Sequence, residues 1–327
     1  MTPPDPEPDS GEPETSQVTT PPPYPTSGPG GPPAAQTQVC SWHPDRATAL
    51  TCTRCGRPAC PECLTPASVG FHCRACVAEA RANYQPPRTV SGSRWGQRPI
   101  VSMVLIGINL AAFLVTALQA RSVMNLADSD LYVRGGLIPA EVASGEYWRL
   151  LTGGFLHGSL IHIATNMISL YILGIPLERI LGRGRFLVIY LLSLLGASVS
   201  VLIFSAPVSL TIGASGAIYG LMGALLVTFK RLRYDLRQLL IIVALNVFIT
   251  FQVPGISWQG HLGGLVVGAV VGAAMVYPPQ QSRKAWQWGT CVGVVAVLLG
   301  LVIVRDAQIG NWFCLYSTQG ISCVPAH

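Results

Sequence analysis

Charge is scarce in this chain. Charged side chains make up 11% of its 327 residues and hydrophobic ones 50%, with a mean hydropathy of +0.44. An ordinary soluble domain carries about a quarter charged residues, so the composition excludes that class and implies a polytopic membrane protein. The start, Met1 to Asp9, lacks both the basic flank and the apolar core of a secretory signal peptide, so none is expected. Basic residues are missing from 206–214 and 254–259, and acidic residues from 215–229 and 260–277. The first absence bears on orientation and the second on the chemistry.

Composition divides what is present. Residues 1–39 are rich in Pro, Ser and Thr and acidic near their start; such a segment cannot bury enough apolar surface to offset chain ordering and reads as a disordered tail. Residues 40–76 form a compact cysteine module, and 77–99 a basic connector with Arg88, Arg94 and Arg98. Apolar content begins at Ile100. Seven segments follow, near 100–118, 159–177, 186–205, 215–229, 239–253, 260–277 and 288–304. A bilayer core takes about 20 helical residues, so the fourth and fifth look short, which suits helices that border a water-filled cavity.

Orientation follows from Lys and Arg in short loops. Arg179, Arg183 and Arg185, then Lys230, Arg231, Arg233 and Arg237, then Arg283 and Lys284 share one side, with the arginines before the first segment. That puts the amino terminus in the cytoplasm and the carboxyl terminus outside. Ser215 then opens the fourth segment and His261 the sixth at similar depth on the outer side. Gly216, Gly220 and Ala224 face, at four-residue spacing, a stripe of Gly264, Gly268 and Gly272. Small residues so spaced let membrane helices approach closely, which would bring serine and histidine together.

Ionisable groups at membrane depth are costly and point to function. A serine hydroxyl needs a base to become a nucleophile, and histidine suits that role near neutrality. With no acid in either segment, the reading is a Ser215–His261 dyad with Tyr219, one turn below Ser215, stacked on the imidazole. Oxyanion donors are sought in His162 and Asn166, four residues apart on one face of the second segment, together with the Ser215 amide in the Gly213-Ala214-Ser215-Gly216 turn. His157 reads as a loop residue without a role. The bland alternatives are helix packing for the glycines, structural histidines, and an interfacial anchor for Trp148.

Taken in order, Trp148-Arg149, His162-x-x-x-Asn166, Gly213-Ala214-Ser215-Gly216 and Gly260-His261 make the chain resemble a bacterial rhomboid intramembrane serine protease. The resemblance covers roughly residues 100–278 and implies an all-α polytopic membrane protein with a rhomboid-like six-helix core. The seventh segment is an extra carboxyl-terminal transmembrane helix within 279–327. It further implies a plasma-membrane endopeptidase that cleaves single-span membrane proteins near their outer boundary, with the lipid bilayer and transmembrane substrates as partners. A catalytically silent membrane adaptor and a proton-linked transporter are the rivals; neither needs Ser215 beside His261.

The amino-terminal module offers four ligand pairs: Cys40 with His43, Cys52 with Cys55, Cys60 with Cys63, and Cys73 with Cys76. Four pairs suffice for two structural zinc ions, and cytoplasmic placement disfavours disulfides. Interleaving, with Cys40, His43, Cys60 and Cys63 on one ion and Cys52, Cys55, Cys73 and Cys76 on the other, resembles a cross-braced B-box zinc finger. Spacing leaves open pairing in sequence order, and His72 in place of Cys73. A cytoplasmic protein partner is the expected role. Arg46, Arg54, Arg57 and Arg74 are scattered without an aromatic platform, so no nucleic acid is expected. Outside the cytoplasm, Cys314 and Cys323 are expected to close a small disulfide, the alternative being two free thiols, whereas Cys291 reads as an apolar side chain.

Overall fold

The computed structural model describes residues 38–84, 89–92, 98–253, 255–310, 312–317 and 320–325. The chain splits into two compact units, 1–85 and 86–327. Up to residue 37 the expected disordered tail lies outside the described residues, as do Arg88 and Arg94.

In the first unit β1 (Gln38–Cys40) pairs antiparallel with β2 (His43–Thr48), and β3 (Leu64–Pro66) with β4 (Phe71–Cys73). A single 3-10 turn, Pro61–Cys63, precedes β3, and α1 (Arg74–Ala82) follows β4. Gln38 and Val39 therefore belong to a strand, and Val77–Ala82 continue a helix rather than starting the connector, because Cys76 anchors that helix into the interior. The buried interior is mostly sulfur: Cys40, Ala59, Cys60 and Cys63 form one cluster and Cys52, Cys73 and Cys76 another, with Trp42 and Leu64 touching both. So few apolar side chains cannot hold a unit this small without further cross-links.

The second unit is a helical bundle, and all seven apolar segments are helices in it. Its elements are α2 (Ile100–Ala120), three short helices α3 (Asp130–Gly135), α4 (Pro139–Ala143) and α5 (Arg149–Thr152), then α6 (Leu160–Leu181), α7 (Arg183–Phe204), α8 (Ser215–Leu232), α9 (Arg237–Gln252), α10 (Trp258–Val276) and α11 (Arg283–Ile309). A hairpin of β5 (Trp312–Ser317) and β6 (Gly320–Pro325) follows. The short strands of both units are additions to the expected all-helical plan. Among the described helices, α2, α6, α7, α10 and α11 are long and apolar enough to cross a membrane, and the protein is a multi-pass membrane protein. Helices α8 and α9 are shorter, at 18 and 16 residues.

Helix α8 is the centre of the bundle, buried at every position from Gly216 to Leu225. Its neighbours come close because of glycine. A methyl group on Gly264 would fall on the Gly216 carbonyl, one on Gly268 on the Gly220 carbonyl, and one on Gly272 would lie 2.8 Å from the Ala224 Cα. The two small-residue stripes thus interlock α8 with α10, and α7 closes the other side: a methyl on Gly216 would meet Ala197, one on Gly220 Ser193.

Polar groups tie the bundle where helix ends would leave amides unpaired. The buried Glu178 carboxylate near the end of α6 accepts from the Val101 and Ser102 amides at 2.9 and 2.8 Å and from the Ser102 hydroxyl at 2.7 Å, capping α2. Helix α11 is fixed at both ends. Gln287 donates to the Met275 carbonyl at 2.9 Å, while Asp306 accepts from the Tyr147 hydroxyl at 2.7 Å and Arg305 donates to the Leu202 carbonyl at 3.1 Å. The Asp306 carboxylate holds the Tyr147 phenol above its ordinary range.

Candidate active site

The segment leading into α8 is stitched to the long loop between α2 and α6. Leu137 and Thr211 exchange backbone hydrogen bonds at 3.0 and 2.9 Å, the Ala140 amide reaches the Pro207 carbonyl at 2.8 Å, and the Gly213 amide reaches the Gly153 carbonyl at 2.9 Å. Arg149, 1% exposed, holds that loop from inside by donating to the Val133 and Gly136 carbonyls at 2.8 and 2.7 Å and by pairing with Glu146. Trp148 beside it points outward and is half-exposed. Trp148-Arg149 is therefore a loop support at a distance from the chemistry.

Ser215 is the first residue of α8, where the first turn has amides without intrahelical acceptors. The Ser215 Oγ lies 2.8 Å from His261 Nε2, although the two are 46 positions apart. His261 sits in the first turn of α10, whose start is capped by the Ser257 hydroxyl accepting from the Gly260 amide at 3.3 Å. The Tyr219 ring stacks on the imidazole with centroids 4.0 Å apart and planes 17° apart. On its other nitrogen, Nδ1, His261 meets Thr250 Oγ1 of α9 at 2.8 Å. The same Thr250 oxygen is 2.6 Å from the Tyr219 hydroxyl and donates to the Asn246 carbonyl at 2.8 Å.

These residues border a cavity of about 800 Å³ that also reaches His162, Asn166, Gly213, Ile249 and Gly260. His162 Nδ1 faces the Gly158 amide at 3.5 Å, which leaves Nε2 turned toward the cavity. Gly213 must be glycine for two reasons. Its φ is +124°, and a methyl group there would stand 2.8 Å from His162 Nε2 and 3.6 Å from Ser215 Oγ. The Asn166 amide is turned inward onto its own helix, donating to the His162 carbonyl at 2.9 Å. His157 is not a loop bystander. It is fully buried and edge-on to His162, centroids 5.0 Å apart. Neither Thr250 nor His157 is singled out by sequence reasoning. The only signals are a hydroxyl near the end of the short fifth segment, at the depth assigned to His261, and a second histidine five residues before His162.

In the first unit the eight cysteine and histidine ligand atoms fall into two sets, each within 4.8 Å: Cys40, His43, Cys60 and Cys63, and Cys52, Cys55, Cys73 and Cys76. His43 Nδ1 is 3.3 Å from both Cys60 and Cys63 sulfurs and 3.9 Å from Cys40, and Cys55 is 3.7 Å from Cys73. A tetrahedron with metal–sulfur bonds of about 2.3 Å has edges of about 3.8 Å, so the sets have the size of closed four-ligand cages. His72 belongs to neither. Burial opposes thiolate formation, yet backbone donors at Cys60 and Trp42 bring Cys40 down to about 6, and those at Cys73 and Cys55 bring Cys52 to about 6. Burial and then the Cys60 side chain push Cys63 up to about 11, and hydrogen bonding to Cys55 followed by burial pushes Cys76 up to about 12. Sulfurs packed this closely cannot all ionise without a cation among them, so the donors fit a bound metal ion.

Backbone register sets Cys314 opposite Cys323 across the β5–β6 hairpin. Their side chains lie outside the described residues, so the disulfide remains an expectation.

A family model described as Rhomboid domain matches residues 144–278. The chain is 32% identical over 211 residues to Rhomboid protease GluP of Bacillus subtilis (strain 168), covering 63% of this chain and 40% of that protein. Over 246 residues it is 32% identical to RHOMBOID-like protein 6, mitochondrial, of Arabidopsis thaliana, covering 66% of this chain and 79% of the relative. Rhomboid protease AarA of Providencia stuartii is 28% identical over 232 residues, 61% of this chain and 79% of that protein.

Proposed function

Because the chain belongs to the rhomboid family, we propose that it is an intramembrane serine endopeptidase with Ser215 as nucleophile and His261 as general base, cutting single-span membrane proteins near their outer membrane boundary. The observation that supports this reading best is the 2.8 Å approach of His261 Nε2 to Ser215 Oγ at the wall of a cavity inside the bundle. As Oγ attacks the scissile carbonyl carbon, Nε2 takes the hydroxyl proton. The carbonyl π pair moves onto oxygen, where the Ser215 amide and the His162 Nε2–H are the donors at hand, each such donor contributing about 2.7 to 4 kcal/mol in comparable sites. Collapse breaks the C–N bond, and the imidazolium gives its proton to the leaving amine. Water then repeats the sequence on the ester and frees Ser215. Asn166, turned onto the His162 carbonyl, steadies the helix turn that carries His162.

In this reading the basic loops face the cytoplasm of a bacterial cell, the first unit lies on that side, and the β5–β6 hairpin lies outside with a Cys314–Cys323 disulfide. The two cages hold structural zinc, which organises a unit with too small an apolar core to fold on its own, and the unit docks a cytoplasmic protein. Residues 1–37, 38–82, 83–99, 100–278 and 279–327 serve as tail, zinc module, linker, catalytic core and appended helix with hairpin, the first three bounds moved by the strand at Gln38–Cys40 and the helix at Arg74–Ala82.

The test is cleavage in liposomes. The full chain is reconstituted with a single-span substrate whose helix is weakened by glycine and proline near one end, and fragments are mapped by mass spectrometry. One cut near the membrane boundary is expected, absent in Ser215→Ala and in His261→Ala. Cleavage that survives Ser215→Ala contradicts the assignment, and no cleavage of any weakened helix favours a catalytically silent adaptor.

A further inference from the structure

The Ser215–His261 pair lacks the third group that usually orients the base, and α9 supplies a substitute. We propose that Thr250 is a positioning residue that fixes His261 in the Nδ1–H tautomer and so aims the basic Nε2 lone pair at Ser215. This rests on the hydrolase reading and names a residue that reading does not require.

Counting protons over four contacts selects the tautomer. Thr250 Oγ1 has one proton and two lone pairs, and its three neighbours are the Asn246 carbonyl at 2.8 Å, the Tyr219 hydroxyl at 2.6 Å and His261 Nδ1 at 2.8 Å. If Thr250 donates to Asn246, both lone pairs are left to accept, one from Tyr219 O–H and one from Nδ1–H. Nε2 then accepts from Ser215 O–H at 2.8 Å, and every proton in the network has a partner. In the opposite tautomer Thr250 donates to Nδ1, Nε2–H points at Ser215 Oγ, and the Ser215 proton has no acceptor among the described contacts. Ser215 is half-buried in the cavity wall, and a hydroxyl left without a partner there is disfavoured, so the productive form is favoured. That is the tautomer-setting part of the role an aspartate has in a triad, performed without placing a carboxylate among apolar helices.

Burial of Thr250 points the same way. The residue is 5% exposed, and α9 buries only Leu239, Val243 and Thr250. A buried hydroxyl on so thinly packed a helix, bonded to both the base and the tyrosine stacked on it, links the three helices at the level of the chemistry. A threonine that only bonded its own helix would be satisfied by Asn246 alone.

Nitrogen NMR of the full chain labelled at histidine, with the His261 signals assigned by their loss in His261→Ala, reads the tautomer directly. Wild type is expected to show a protonated Nδ1 and an unprotonated Nε2, and Thr250→Val, which keeps the shape and removes the hydroxyl, a mixture. In the liposome assay Thr250→Val should lower kcat about ten- to hundredfold with KM within about twofold, and Thr250→Ser should recover all but about threefold. A protonated Nε2 in wild type overturns the proposal. So does Thr250→Val with unchanged kcat, or a Thr250→Ser variant that keeps wild-type helix content yet is as slow as Thr250→Val. Wild type that cleaves nothing sinks the hydrolase reading instead, so the two failures are told apart.

Discussion

At Gly213 a hydrogen atom in place of a methyl group decides whether the serine turn and α6 can share one cavity. The φ of +124° and the 2.8 Å separation that a methyl would have from His162 Nε2 act together. Backbone of this kind costs a non-glycine residue about 1 to 3 kcal/mol, and the methyl would crowd His162 Nε2, the proposed oxyanion donor. Gly213→Ala is therefore expected to cut the cleavage rate at least tenfold while lowering the melting temperature only modestly; a variant as active as wild type would show that His162 is not needed where it stands. The same scale shows what residue types alone reveal. Ser215, His261 and Tyr219 are legible because each has a chemical reason to stand where it does. Thr250 is not, since threonines in membrane helices commonly bond the carbonyl four residues back, and only the fold brings α9 alongside the imidazole.

Among the elements, the glycine stripes are the most legible in sequence. Their spacing foretells a close α8–α10 crossing, because without a Cβ two helix backbones can touch, and Gly264 and Gly268 lie directly over the Gly216 and Gly220 carbonyls. Adding a methyl at Gly268 should destabilise the bundle by about 1 to 3 kcal/mol through overpacking and separate Ser215 from His261. Glycines of α11 serve as the internal comparison. A methyl on Gly289 or Gly293 would meet nothing within 4 Å, so alanine there should be neutral or stabilising by about 0.5 to 1 kcal/mol. Denaturant unfolding of Gly268→Ala and Gly293→Ala side by side checks both signs; equal effects would mean that the crossing has room to spare. The loop between α2 and α6 is a different case. Its Arg149 staple reaches the Val133 and Gly136 carbonyls 16 and 13 positions back, and no periodic pattern encodes such contacts.

At the scale of the whole molecule, composition separates a cysteine-rich unit from a membrane bundle, while the pairing of ligands depends on chain path and is left open by spacing. The hairpins and turn bring Cys40 and His43 to Cys60 and Cys63, and Cys52 and Cys55 to Cys73 and Cys76. This pairing makes a stoichiometric prediction. A Cys52→Ser, Cys73→Ser double variant damages one cage and should retain one zinc per chain against two in wild type, measured by elemental analysis. Pairing in sequence order would leave none. Every group named around Ser215 belongs to the second unit, so removing residues 1–85 should spare the intrinsic reactivity of the serine even where it alters substrate choice. That reactivity is the central claim, and a fluorophosphonate probe reads it most directly: an adduct mapped by mass spectrometry to Ser215 in wild type and absent in His261→Ala is the predicted result, whereas no adduct, or one that persists without the histidine, would contradict the account.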